Sequence, residues 1–542
     1  MKILKPSIFA VSLLALASCT STAPILSTPI ENIDATPLKE RALTDEELKS
    51  WGHKDLVTDT IPGMSVDKAY AEIIKGRKGK KVIVAVLDSG IDIDHEDLDA
   101  VIWTNSKETP NNGKDDDNNG YVDDMHGWNF LGDSYNENME KTRIVKKGPS
   151  HPRYAEAKAE IEKEYEEKKQ LKVRVEQVLQ QAEQTHQALT KYFKKSDYTK
   201  KEVNSISNPS EELKRYVGAA KYFLSINPKN NTMEEVIAEL KDYVQNAITD
   251  YLNYYLNPDF DGRTVVGDNP YDITDTNYGN ANVKHSVKSE SHGTHVAGII
   301  AAERNNGIGM NGVANNVEIM AVRMVPNGDE YDKDVALGIR YAVDNGARII
   351  NTSFGKYYSQ NSEWIRDAIA YAGKNNVLIV NAAGNENTNL DEKAVFPNDQ
   401  TPNGSEISDT FLTVGALTNE YGSQMVAEYS NYGQNNVDVF APGSSIYSTF
   451  PENEYKSIGG TSMAAPGVSG IAALLMSQYP KLTAAQVKKI IMQSGLSINK
   501  NVILDQTKEA MPFSKSSKTG KIANAYNALI LADKVSRGKV QL

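Results

Sequence analysis

Lys81-Val82-Ile83-Val84-Ala85-Val86-Leu87-Asp88 is an apolar, β-branched run bounded by Gly79 on one side and Ser89-Gly90 on the other. Eight residues without polar alternation read as a strand buried on both faces, the kind a parallel sheet takes when helices cover it. The pattern recurs downstream. Strand-like runs at 317–325, 347–351, 377–381, 411–414 and 437–440 alternate with helix-like stretches at 294–302, 332–345, 362–375, 462–479 and 483–493. Strand and helix in alternation imply an α/β domain whose mostly parallel sheet is covered on both faces.

The chain has 542 residues, 40% of them hydrophobic, and a formal net charge of −12. That apolar content supports a sizeable core, and the acidic balance argues against nucleic acid as a partner, because phosphate contacts need a basic surface. The single cysteine, Cys19, excludes an intrachain disulfide, a Cys-rich metal site and a cysteine nucleophile in the folded body. It closes a leader instead. Lys2 and Lys5 precede an apolar run over 8–16 that is too short to span a bilayer, and Leu16-Ala17-Ser18-Cys19 resembles the lipobox of bacterial lipoproteins. The resemblance implies export, cleavage within the 1–19 signal peptide and lipobox that leaves Cys19 as the first mature residue, and lipid on Cys19 that anchors the chain to a bacterial membrane, with the outer membrane expected and periplasmic or cell-surface exposure left open. Residues 20–65 read as a tether, flexible over 20–29, followed by an N-terminal extension in which Trp51 and Pro62-Gly63 suggest packing. Residues 65–75 read as a helix with Ser65 as its N-cap.

Between the first strand and the rest the composition changes. Residues 154–195 are dense in Glu, Lys and Gln, with Ile161, Tyr165, Leu171, Val175, Val178, Leu179 and Ala182 at helical spacing. A second helix opens near Ser210, and a third at Thr232, where Thr232 and Glu235 form a capping box. The stretch 135–257 is expected as a helical insertion, either a hairpin or small bundle on the body or an arm that binds a partner or shields a site. It divides the α/β core into 66–134 and 258–535, with a tail at 536–542.

Three polar residues stand at the ends of buried elements: Asp88 after its strand, His292 in Ser291-His292-Gly293-Thr294-His295 before an apolar helix, and Ser462 in Gly459-Gly460-Thr461-Ser462-Met463 at another helix start. Open α/β sheets gather catalytic groups outside the carboxyl ends of their strands. A serine hydroxyl needs an adjacent base, a histidine can take and return its proton, and an aspartate can hold the imidazole tautomer. Asn385, in Ala382-Ala383-Gly384-Asn385 after a strand, can donate its side-chain amide to a developing oxyanion, with the N–H of Ser462 as a second donor. His295 reads as structural.

With these motifs in the order Asp, His, Asn, Ser, the chain resembles the subtilisin-like serine peptidases. Asp88-Ser89-Gly90-Ile91, His292-Gly293-Thr294-His295-Val296-Ala297-Gly298, Ala383-Gly384-Asn385 and Gly460-Thr461-Ser462-Met463-Ala464-Ala465-Pro466 carry the resemblance. It implies a three-layer α/β/α fold, hydrolysis of polypeptides through an acyl-enzyme, and no cofactor for the chemistry. It further implies that Ser353, Phe354 and Gly355 pair with the substrate backbone and that Ala382, Ala383 and Gly384 line the pocket for the residue before the scissile bond. Two features depart from the family: the long interval between Asp88 and His292, which the insertion accounts for, and a segment ahead of the first strand shorter than the usual propeptide, expected here as a permanent extension. A non-enzymatic surface module that binds through the helical arm, and an esterase, are the alternatives.

Asn111 to Trp128 contains Asp115, Asp117, Asn119, Gly120, Tyr121 and Asp123 at the spacing of an EF-hand-type loop, with His126 where the twelfth position calls for glutamate and Asp124 as a substitute. Oxygen ligands two residues apart suit a structural Ca²⁺ ion held by Asp115, Asp117, Asn119, the Tyr121 carbonyl and Asp123. Asp259, Asp261 and Asp268 form a weaker second candidate.

Overall fold

The apolar run forms strand β1, Val82–Asp88, inside a nine-stranded sheet. In this computed structural model residues 24–542 are described, except 32, 40, 197, 227–229, 402–403 and 505–508. The leader and Cys19 therefore lie outside the described residues. In chain order the sheet continues with β2 (Gly127–Asn129), β3 (Val317–Arg323), β4 (Ile349–Thr352), β5 (Leu378–Ala382), β6 (Phe411–Leu417) and β7 (Val439–Pro442). Across the sheet the order is β7-β6-β5-β4-β1-β3-β2, all parallel, extended beyond β7 by Lys521–Ile522 and Leu496–Ser497, the last pairing antiparallel.

Burial follows the pleat. Val84 and Val86 of β1 enter one core with Val296 and Ile300 of helix His292–Ala301 and Val468 and Ile471 of helix Thr461–Gln478. Ala85 and Leu87 enter the opposite core with Val335 and Ile339 of helix Asp332–Asp344 and Ile365 and Ile369 of helix Ser362–Lys374. Both faces of β1 are buried, so its lack of polar alternation is the expected consequence of two covering helical layers. This is the three-layer α/β/α fold. From β1 the chain builds β2 and β3 on one side and then crosses to β4 on the other, which puts the switch point of the sheet at the carboxyl end of β1.

The expected strands and helices of the α/β body are present with ends displaced by up to three residues, the largest shift being β6, which runs on to Leu417. Two local expectations fail. Ser65 has φ 54° and makes no cap; its hydroxyl instead donates to Asp55 Oδ2 at 2.8 Å, and Asn524 Nδ2 donates to Ser65 Oγ at 2.7 Å. The described end of the flexible tether is packed: Ile25 lies against the main core and Ile30 exchanges two hydrogen bonds with the Asn527 side chain, at 2.8 and 3.0 Å. Trp51 is 1% exposed and its Nε1 donates to Ser444 O at 3.1 Å, so the extension is seated on the body.

The stretch between β2 and helix His292–Ala301 contains helices Glu140–Lys147, Tyr154–Phe193, Glu211–Ile226 and Met233–Asp242. Thr232 and Glu235 make the capping box that the sequence suggests. Ala182, Leu189, Tyr198, Val217, Phe223 and Met233 form an apolar cluster separate from the two sheet cores. At the base, Met139 N–H donates to Tyr255 O at 3.1 Å and Asn138 Nδ2 to Tyr254 O at 2.6 Å, so the outgoing and returning chains lie side by side.

Candidate active site

Asp88 ends β1 and is 1% exposed. Its Oδ1 accepts from Ser89 N–H at 2.8 Å and meets His292 Nδ1 at 2.7 Å. His292 opens its helix, and the next residue, Gly293, donates its N–H to Ser89 Oγ at 3.0 Å. A Cβ on Gly293 would stand 2.5 Å from Ser89 O, so only glycine lets the helix come this close to the end of β1. With Nδ1 engaged by Asp88, Nε2 is the ring nitrogen left for other partners. Burial pulls the His292 pKa down, but the Asp88 carboxylate, through its charge and hydrogen bond, raises it above the ordinary imidazole value.

Ser462 is reached through β4. Leu87 and Thr352 are register partners, so the residues that follow them, Asp88 and Ser353, leave adjacent strands side by side. Ser462 Oγ donates to Ser353 O at 3.0 Å, and Ser353 Oγ donates to Ser462 O at 2.9 Å. The second bond has a covalent origin. Pro466 sits inside helix Thr461–Gln478, four residues after Ser462, and has no N–H to give the Ser462 carbonyl. That carbonyl is thereby released to accept from Ser353. Asp88 and His292 are thus paired at the end of β1, while the Ser462 hydroxyl donates to Ser353 at the end of the adjacent strand.

Asn385 is held from one side. Its Oδ1 accepts from Thr461 N–H at 2.8 Å and from Thr461 Oγ1 at 3.0 Å, while Gly384 N–H donates to Thr461 Oγ1 at 3.0 Å. A methyl on Gly460 would lie 3.6 Å from both Asn385 Nδ2 and Ser462 N, so these two donors border one small space. Thr461 is a residue to which the sequence reading assigned no role; its place between two motif residues was the available signal. Glu290, also missed, accepts from Gly90 N–H at 2.8 Å and from Arg323 Nε at 2.6 Å, which ties the turn after Asp88 to the end of β3.

Ser353, Phe354 and Gly355 continue from β4, and Ala382, Ala383 and Gly384 close the neighbouring β5. Gly384 has φ 102°, and a Cβ there would meet Asn431 Nδ2 at 2.4 Å. Val395 closes in on the other side, its Cγ1 2.9 Å from where a Cβ of Gly355 would be. His295 is fully buried; its Nε2 lies 3.0 Å from Lys456 O, and desolvation drives its pKa down to about 3, so it stays neutral and holds structure.

The acidic loop converges differently from an EF-hand pattern. Carboxylate oxygens of Asp115 and Asp117 lie within 4.8 Å of one another and of Glu108, which the sequence reading did not include. Asp123 points elsewhere and accepts from Asn112 and Gly113 N–H at 3.0 and 2.9 Å. Asn119 spends its side chain on Tyr121 N–H and Asp124, Asp124 also accepts from Tyr341 Oη, and His126 Nδ1 faces Trp103 O at 2.8 Å. The second cluster is an ion-pair site instead: Asp268 pairs with Arg263 at 2.6 Å and Lys333 at 2.7 Å, and Asp261 with Lys146 at 3.0 Å.

Residues 79–515 match the model of the Subtilase family, and the chain belongs to that family. It is 40% identical over 226 residues to the thermophilic serine proteinase of Bacillus sp. strain AK1, across 41% of this chain and 50% of that protein. It is 34% identical over 216 residues to subtilisin DY of Bacillus licheniformis, across 40% of this chain and 73% of that one. Among solved structures, a cold adapted subtilisin-like serine proteinase aligns at 29% identity with a TM-score of 0.35, covering 46% of this chain and 80% of that chain. The chain thus spans half the length of the first of these relatives.

Proposed function

We propose that this subtilase is a serine endopeptidase in which Ser462 is the nucleophile, His292 the general base and then acid, and Asp88 the group that orients and stabilises the imidazole. One observation carries the reading: Asp88 is paired to His292 at 2.7 Å at the end of β1 while Ser462 is bonded to the adjacent strand end at 3.0 Å. In the reaction the Ser462 hydroxyl turns from Ser353 O and passes its proton to His292 Nε2 as Oγ attacks the peptide carbonyl. Asn385 Nδ2 and Ser462 N–H, which share one space, stabilise the oxyanion. The imidazolium protonates the leaving amine, and water releases the acyl group by the same steps in reverse. An extended polypeptide runs along Ser353–Gly355, with its side chain before the scissile bond between that strand and Ala382–Gly384. The paired strand ends favour peptides over simple esters, and the intact set of groups favours an enzyme over a binding scaffold.

Labelling the protein with a fluorophosphonate and mapping the adduct tests this reading. The adduct is expected on Ser462 and absent from His292→Ala; a folded protein that takes no label refutes it.

Two further assignments complete the proposal. Glu108, Asp115 and Asp117 hold a structural Ca²⁺ ion, which supplies no chemistry; the fit is the hard oxygen set together with the Glu108 Oε2 atom, buried and without a hydrogen-bond partner. The chain is exported and anchored through lipid on Cys19, as the leader suggests; mass analysis of the membrane-extracted protein, with a Cys19→Ser control, tests the anchor.

A further inference from the structure

The body carries a buried cluster of charges that the chemistry above does not use. Lys356 follows the segment Ser353–Gly355 and its side chain is 1% exposed. Its Nζ lies 3.2 Å from Glu140 Oε2, 2.6 Å from Glu330 O and 2.8 Å from Asp332 Oδ1. Glu140 begins helix Glu140–Lys147, the first helix after the body's β2. Its own N–H donates to Asp329 Oδ2 at 2.6 Å, and its Oε1 accepts from Gln360 Nε2 at 2.8 Å. Arg143, one turn on, donates to Glu140 Oε2 at 2.7 Å and to the carbonyls of Glu330 and Asp329, and its guanidinium lies 3.6 Å over the Tyr331 ring.

These partners belong to two segments of the body. One is the continuation of Ser353–Gly355. The other is the loop after β3, which passes beside the site: Met324 and Val325 N–H both donate to Asp88 O, at 2.9 and 3.1 Å. The two segments leave the carboxyl ends of strands on either side of β1, so the crevice at the switch point lies between them. Glu140 is bonded to both, and Lys356 reaches across to the carbonyl of Glu330. Because Glu140, Arg143 and Lys356 are buried and paired with one another, their geometry is stiff, and small shifts are resisted rather than absorbed.

We propose that Glu140 and Arg143 are positioning residues that fix the separation of the two segments bordering an extended substrate, so that the root of the helical stretch controls recognition of peptide residues before the scissile bond and leaves bond cleavage itself untouched. The proposal rests on the endopeptidase reading. Its physical content is that peptide held along Ser353–Gly355 needs that segment in register with the facing loop, whereas a small reagent at Ser462 does not.

The test compares a blocked tetrapeptide anilide with a small fluorophosphonate on the full soluble chain. Glu140→Gln keeps the shape but has one acceptor oxygen, so it cannot accept from Gln360 on one side and from Lys356 and Arg143 on the other. It is expected to raise KM for the tetrapeptide about tenfold, with kcat and the labelling rate within about twofold of the parent. Gln360→Met, which frees only one oxygen of Glu140, is expected to raise KM about threefold and serves if Glu140→Gln does not fold. An unchanged KM in a folded variant overturns the proposal. So does an equal loss in peptide turnover and labelling, which marks a general packing role. A parent protein that takes no label refutes the endopeptidase reading beneath it, a result distinct from either.

Discussion

Thr461→Val isolates the residue that aims Asn385. Thr461 is fully buried, and its hydroxyl both donates to Asn385 Oδ1 at 3.0 Å and accepts from Gly384 N–H at 3.0 Å. Valine keeps the volume and removes both bonds. Gly384 N–H then has no acceptor, which costs about 1–3 kcal/mol of stability. Asn385 Oδ1 keeps only the bond from Thr461 N–H at 2.8 Å, one of two tethers. Removing such a donor outright lowers kcat about 10²–10³-fold, a figure measured on another subtilase, or about 2.7–4 kcal/mol. Half of that for half the restraint is about 1.4–2 kcal/mol, a fall in kcat of about 10–30-fold with KM nearly unchanged. Thr461→Ser retains the hydroxyl and should restore most of the rate. Steady-state kinetics on a peptide anilide, beside urea unfolding of each variant, read both quantities. The reasoning is refuted if Thr461→Val loses stability while kcat holds, or if Thr461→Ser is as slow as Thr461→Val.

Asp88→Asn should lower kcat about 10⁴-fold while His292 remains in place, because the amide favours the wrong tautomer; a crystal structure and kinetics of the variant check both halves. The imidazolium cannot accept the serine proton and Asp88 stabilises that charged form, so kcat/KM of the parent should rise with pH through a midpoint above the ordinary imidazole value, and in Asp88→Asn, where that stabilising charge is gone, the midpoint should fall. Lys333 is wholly buried with Asp268 at 2.7 Å; Lys333→Met leaves that carboxylate to Arg263 alone and should destabilise the protein by about 1–3 kcal/mol in urea unfolding. A chelator should lower the melting temperature of the parent, and Glu108→Gln should lower it alone while removing most of the chelator's effect; equal chelator shifts in both would exclude the site.

The layers were legible because β1 is buried on both faces and says so in eight residues without alternation. Asp88, His292 and Ser462 were legible because each abuts a buried element and is flanked by glycines that close approach requires. Gly293, whose Cβ would stand 2.5 Å from Ser89 O, is one example. What escaped was what depends on contacts between distant segments. Glu108 precedes the acidic loop, and nothing in its neighbours hints that its carboxylate turns towards Asp115 and Asp117. Asp123 looked like a ligand by spacing, but the amides of Asn112 and Gly113 take its oxygens. Asp268 looked like a ligand by charge, yet Arg263 and Lys333, the latter 65 residues on, satisfy it. Ser65 has the composition of a cap, but its partner Asn524 lies 459 residues away. The short strands Leu496–Ser497 and Lys521–Ile522 carry too few residues for any periodicity to show.

The paired base of the helical stretch bears on how the chain finds its fold. Asp88 and His292 are 204 positions apart, and Asn138 and Tyr254 are 116 apart. If the helices between them form first from their own local contacts, that base closes early, and subtracting 116 from 204 leaves an effective path of 88 positions. With closure entropy growing as the logarithm of loop length, the shortcut lowers the entropic barrier to joining Asp88 and His292 by about 0.7 kcal/mol. A long excursion placed between two partners then acts on the search as a short turn, and the rate of assembling the body is set by the chain that remains.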